Sequence, residues 1–134
     1  MFISVINEIF EILENEGINW ILIRNLDFEK SITNKGDVDV VVHENTNYIK
    51  LKKLLVEKGF FLIEPIKGEF KDFFIYKYSE GFLIKFHFRK FFLNSLMSGK
   101  INDVNKIFKR KIEVNNYFFP SKEDEFILLI TRYF

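Results

Sequence analysis

The sequence contains no cysteine, only 2 prolines and 6 glycines, and almost no net charge. The lack of cysteine excludes structural disulfides and thiolate metal sites. With 20 basic and 19 acidic residues, the net charge of +1 does not support strong electrostatic attachment to nucleic acid or to an anionic membrane. No apolar run is long enough to span a bilayer, and the first residues lack the pattern of a signal peptide. These absences favour a soluble protein of the cytoplasm.

The composition is that of a globular domain, with 48% hydrophobic and 29% charged residues and 18 phenylalanines. A length of 134 residues predicts one domain, residues 1–134. The last segment, from Ser121, is an apolar helix pattern that runs to Phe134. Two interpretations remain open: a helix that docks on the core and ends there, or the N-terminal part of a longer protein.

Hydrophobic spacing and turn residues predict an alternation of helices and strands. Helices are expected at 2–16, from Asn45 or Thr46 to Lys58, in short pieces within 91–108, and from Ser121, with Ser121 and Asp124 at capping-box spacing. Strands are expected at 18–24, 37–42 and 60–63, and in two hairpins, 73–78 with 82–88 and 111–114 with 117–119. The order predicts an α+β fold, a small mixed sheet with helices packed on one side.

The segment from Gly36 to Val42 carries the strongest chemical signal. Asp37 and Asp39 are two residues apart in a strand, so both carboxylates leave the same face, while the valines between and after them point to the core. Two adjacent carboxylates repel each other unless a cation lies between them, and oxygen ligands suit Mg²⁺ or Mn²⁺. Gly36 leaves room for a close approach by a phosphate or a metal.

The order of helix, buried strand, polar turn, Gly-Asp-x-Asp strand and helix resembles the polymerase-β-type nucleotidyltransferase superfamily. It is most similar to small nucleotidyltransferase-like proteins linked to cell-surface polysaccharide synthesis. The resemblance implies that the turn after the first strand holds nucleotide phosphates, that the paired aspartates bind two divalent ions, and that a carboxylate on a later strand completes the site. The residues it implicates are Asp37 and Asp39 as metal ligands and Arg24, Asn25, Lys35, Gly36, Lys85 and His87 as nucleotide contacts.

The third carboxylate is the main departure from the family pattern. Members of the family that the chain resembles have the pattern Asp-x-His on this strand, whereas this chain has Lys85 at the Asp position and keeps His87. An ammonium beside the aspartates would compete with a metal for the same oxygens. His87 can also be a structural histidine of the sheet. A nearby acid could substitute for the missing one, and the candidates are Glu64, Glu69 and Asp72.

Three functions follow from these observations. The first is a domain that binds a nucleoside triphosphate with Mg²⁺ and transfers a nucleotidyl group to an unidentified acceptor, in surface-glycan assembly by resemblance. The second is a catalytically lapsed domain in which Lys85 pairs with Asp37 and Asp39, retained as a binding or assembly module. The third is an antitoxin-type nucleotidyltransferase.

Pairs of adjacent phenylalanines add a prediction about partners. In a strand, neighbours such as Phe60 and Phe61, or Phe73 and Phe74, point to opposite faces. One member of each pair must therefore find cover on the second face, which predicts a homodimer or a partner domain.

Overall fold

The computed structural model describes residues 2–23, 38–43, 45–64, 72–79, 81–89 and 104–133. Several predictions fall outside these ranges: the turn at Arg24 and Asn25, the loop at Lys35 and Gly36, Asp37, Glu69, and the helical pieces before residue 104.

The described residues form four helices and seven strands, an α+β arrangement in general agreement with the sequence prediction. The helices are α1 (Phe2–Asn15), α2 (Tyr48–Glu57), α3 (Val104–Lys109) and α4 (Lys122–Tyr133). The strands are β1 (Trp20–Leu22), β2 (Val38–Val42), β3 (Phe61–Ile63), β4 (Phe73–Ser79), β5 (Phe82–Arg89), β6 (Ile112–Val114) and β7 (Tyr117–Phe119).

Five of the strands make one mixed sheet in the order β1-β2-β5-β4-β3, and β6 and β7 make a separate hairpin. All neighbours in the larger sheet are antiparallel except β2 and β5, which run parallel. A parallel pair requires a crossover connection, and here the crossover contains α2, β3 and β4. The sheet therefore brings the aspartate strand β2 directly beside β5.

The main core lies between one face of this sheet and helices α1 and α2. Alternate residues of β2 and β5 point into it, among them Val40, Phe86 and Phe88, all fully buried. Contrary to the prediction of helices on one side only, the other face is also covered at its β1–β2 end. Ile21 and Val41 there join a second cluster with Ile107, Phe108 and Leu128 of α3 and α4. The reason is that Ile21 and Val41 are apolar residues on this second face, so this end of it also needs cover.

The predicted cap of α2 was wrong by one or two residues. The capping residue is Asn47 rather than Asn45 or Thr46. Its Oδ1 accepts a hydrogen bond from the backbone N–H of Lys50 at 3.1 Å. Three neighbouring residues share the cap preference, and only the backbone conformation decides which of them occupies the position.

The start of α4 confirms the predicted Ser121–Asp124 pairing and extends it. The Asp124 backbone N–H donates to Ser121 Oγ at 3.2 Å, and the Ser121 hydroxyl donates to Asp124 Oδ2 at 2.9 Å. Arg110 also donates to both carboxylate oxygens, at 2.7 and 3.0 Å. These hydrogen bonds, with those from Arg110 strongest, outweigh burial and lower the pKa of Asp124.

This contact predicts a pH-dependent contribution to stability. Because the pKa of Asp124 is lower in the folded protein, the stabilisation is present above the unfolded pKa of about 4 and is lost as pH falls through the folded value. We expect Asp124→Asn to reduce the free energy of unfolding by about 1.5 kcal/mol at pH 7 and by much less near pH 3. Urea unfolding at both values measures this, with Glu123→Gln, an exposed acid of the same helical turn, as control. If Asp124→Asn lowered the free energy of unfolding equally at both pH values, the prediction would be wrong.

Candidate functional site

The candidate site lies on the sheet face that α1 and α2 leave uncovered. On β5, Ile84, Phe86 and Phe88 are buried on the core side, so the residues between them face the other way. Alternation along the strand therefore places Lys85, His87 and Arg89 on one shared face. In the parallel register of β2 and β5, Asp39 stands opposite His87.

Asp39 is held by His87, and His87 by a second carboxylate. The His87 Nδ1 lies 3.2 Å from Asp39 Oδ1, and its Nε2 lies 3.0 Å from Asp72 Oδ2. All three side chains are largely buried, with exposed fractions between 12% and 19%. Because an ionised carboxylate only accepts hydrogen bonds, this arrangement requires both ring nitrogens to be donors, as in imidazolium.

The electrostatics of the site favour that charged ring. Burial of His87 acts to lower its pKa, but the hydrogen bonds to Asp39 and Asp72 and their negative charges outweigh burial, so the pKa of His87 is raised. The ring also stacks on Phe74, with centroids 4.3 Å apart. The site thus favours the protonated form of His87 between two carboxylates, with its ring stacked on an aromatic side chain.

Among the described residues, the Lys85 side chain lies beside two aromatic rings of β4. Its ammonium lies over the rings of Phe74 and Tyr76, 4.5 and 5.9 Å from their centroids. In the described residues, the cationic side chain that contacts Asp39 is His87. Any contact between Lys85 and Asp37 lies outside them.

Of the two described acids that could replace the missing carboxylate, Asp72 reaches this group, while Glu69 lies outside the described residues. Glu64 instead pairs with Lys52 on α2, and its side chain is 52% exposed. Nothing in the local sequence distinguishes Asp72, since it gains its role only when β4 pairs with β5 and brings it to His87.

The fit of a metal ion depends on a residue beyond the described part. Within that part, no three histidine, aspartate or glutamate side chains lie close enough together to hold a metal. Asp39 and Asp72 approach different nitrogens of one imidazole, which keeps them apart. The described residues alone do not fit a metal, and the predicted Mg²⁺ site would need Asp37.

A surface cavity of about 330 Å³ lies elsewhere. Its walls come from the turn before β1 and the start of α2, including Gly17, Asn47 and Lys50. Because β1 and β2 are antiparallel, that end of the sheet is opposite to the end where Asp39 lies. The cavity contains none of the predicted site residues.

External comparisons add no assignment to this geometry. No described helix is long and apolar enough to cross a membrane. Comparison of the chain with protein-family models, with curated proteins and with solved structures finds no match.

Proposed function

We propose that this chain is a nucleotidyltransferase-like domain that binds a nucleoside triphosphate together with Mg²⁺ or Mn²⁺. In this proposal it transfers the nucleotidyl group to an unidentified acceptor in the cytoplasm and releases pyrophosphate, with surface-polysaccharide synthesis as the setting. The observation that carries it is the parallel pairing of β2 and β5, with Asp39 against His87 on the face away from α1 and α2. That pairing brings together the aspartate strand and the later strand from which the superfamily resemblance expects a further site residue.

The contacts of Asp39 support a ligand role for its carboxylate. Carboxylates that bind metal ions are commonly oriented by a hydrogen bond from a neighbouring group, which is in turn held by another. The chain from Asp72 through His87 to Asp39 has this form. His87 is therefore a positioning residue in the proposal, and Asp39 and Asp37 are the ligands.

In this proposal the phosphates of the nucleotide bind to the segment that follows β1 and to the segment that precedes β2. Arg24 and Asn25 follow β1 in sequence, and Lys35 and Gly36 precede β2. Because β1 and β2 are antiparallel, the chain leaves β1 at the same end at which it enters β2. These residues would bind and neutralise phosphate oxygens, and the metal, when bound, would supply further positive charge there.

A second function is favoured by the charge of His87. When its ring is protonated, His87 supplies Asp39 with a cation, which is what a metal would otherwise do. In that case the domain is catalytically lapsed and acts as a binding or assembly module. The substitution at Lys85 remains part of this interpretation, although His87 is the residue that contacts Asp39.

Calorimetric titration with Mg²⁺ and each nucleoside triphosphate tests the first function against the second. We expect the wild type to bind one Mg²⁺–nucleotide pair and Asp39→Asn to weaken that binding by about 100-fold, because the ligand oxygen loses its charge. Glu113→Gln, which neutralises an exposed acid on β6, serves as the control and should bind normally.

The variant Lys85→Asp separates the two outcomes further. If the wild type binds neither metal nor nucleotide while Lys85→Asp binds both, the domain is lapsed and the first function is wrong. If neither protein binds, the nucleotide proposal fails altogether.

A further inference from the structure

The part of the sheet beyond the candidate site exposes a group of large uncharged side chains. These are Phe61 and Ile63 of β3, Tyr78 of β4 and Leu83 of β5, exposed by 70%, 53%, 67% and 62%. We refer to these four residues as the open-face patch. Large apolar side chains that are mostly exposed and adjacent to one another indicate an interaction surface.

The strand register shows that the patch is continuous. Tyr78 pairs with Leu83, and Phe61 pairs with Tyr76, the residue two before Tyr78 on the same face. Ile63 pairs with Phe74, which stacks on His87. The patch therefore extends across three strands, and its Ile63 lies in the same cross-strand row as His87 and Asp39.

The opposite face of the sheet already has its own apolar residues, packed against α1 and α2, so the patch residues are not needed for that core. Phe60 and Phe73, the sequence neighbours of patch and site residues, are buried against α1 and α2. The sheet is thus apolar on both faces at this end, whereas the described helices of the second face, α3 and α4, pack at the β1–β2 end. A sheet with two apolar faces needs a layer on each of them.

From these observations we propose that the open-face patch binds a second copy of this chain, giving a two-fold symmetric dimer in which the sheets pack face to face. The proposal does not rest on nucleotide binding.

The size of the patch fits this partner. From the exposed fractions, its side chains present on the order of 450 Å². A standard interface buries about 800 Å² per partner, of which roughly 60% is apolar, so the patch supplies nearly all the apolar area that a dimer of ordinary size needs.

The chemistry of the open-face patch also fits a second copy of this chain. The four side chains carry no charge, so two identical patches can meet without repulsion between like charges. Lys85, the cation beside the patch, has its ammonium folded over Phe74 and Tyr76 instead of extended from the sheet. A neutral surface of two aromatic and two aliphatic residues is typical of homodimer interfaces, and a nucleic acid would require more positive charge.

Sedimentation equilibrium from about 1 to about 200 μM, a range that brackets ordinary dimer affinities, tests the proposal. We expect the wild type to be a dimer at the upper end. Ile63→Asp and Leu83→Asp, on different strands, should each weaken the dimer by about 10- to 100-fold, because each buries an unpaired charge. The matched control is Ile49→Asp on α2, where the isoleucine is 83% exposed outside the patch. Circular dichroism checks that all variants are folded.

Three results would overturn the inference. A wild type that is monomeric over the whole range would assign the patch to another protein or to other parts of this chain. A dimer that both patch variants retain, or one that Ile49→Asp weakens equally, would place the interface elsewhere. In either of the last two cases, Phe126→Asp on α4, where Phe126 is 63% exposed, tests whether α4 carries the interface instead.

Discussion

Trp20→Ala is expected to lower the free energy of unfolding by about 4 kcal/mol, a large part of the roughly 5–15 kcal/mol that holds a domain together. Trp20 is 1% exposed and stacks on Phe10 of α1, with ring centroids 4.2 Å apart. Its ring also meets the edge of Phe118 on β7 at 5.0 Å, and its Nε1 donates to Glu14 at 2.8 Å. One side chain therefore joins α1, the large sheet and the second hairpin.

Urea unfolding followed by far-ultraviolet circular dichroism measures this effect. Fluorescence is unsuitable because Trp20 is the single tryptophan of the chain. Trp20→Phe, which keeps an aromatic ring but removes the N–H, should cost only about 1–2 kcal/mol. Phe126→Ala on α4, an aromatic truncation at an exposed position outside the open-face patch, should cost less than about 0.5 kcal/mol. The interpretation fails if Trp20→Ala is no more damaging than Phe126→Ala.

The second large effect on stability is expected from replacing His87, the side chain between the carboxylates of Asp39 and Asp72. His87→Phe keeps a ring on Phe74 but removes both nitrogens, which leaves Asp39 and Asp72 buried without their shared donor. We expect a loss of about 2–3 kcal/mol at neutral pH, somewhat below the cost of breaking a fully buried ion pair because all three groups retain some exposure.

The matched control for this variant is the other histidine. His43 contacts the uncharged amide of Asn105 at 2.6 Å and accepts a hydrogen bond from the Asn45 backbone N–H at 3.2 Å, so His43→Phe breaks both without leaving a buried charge. Neutralising both acids in the background of His87→Phe, with Asp39→Asn and Asp72→Asn, should recover more than half of the loss. If the triple variant is as unstable as His87→Phe alone, repulsion and desolvation of the two carboxylates are not the cause.

Local signals in the sequence predicted local structure well. Asn115 and Asn116 predicted a two-residue hairpin, and both adopt the positive φ angles, 52° and 70°, that such a turn requires. The periodicity of 2–16 predicted α1 to within one residue at its end. In both cases the determining interactions lie within a few residues of each other.

The site could be predicted only in part, because its contacts are not local. The sequence placed Asp39 and His87 on strands and on defined faces, since alternation fixes the face. It did not determine the register between β2 and β5, and a shift along the strand decides whether His87 or Lys85 stands opposite Asp39. Asp72 lies 15 residues from His87 and reaches it only through sheet pairing.

The parallel pairing of β2 and β5 also has a consequence for how the protein folds. It joins Asp39 to His87 across about 50 residues, the most distant pairing along the chain within the described sheet. The hairpins of β4 with β5 and of β6 with β7 can form early because their strands are neighbours, whereas β2 must wait for the intervening chain to close. The site would then be assembled late in folding, and partly folded molecules with both hairpins formed would still lack it.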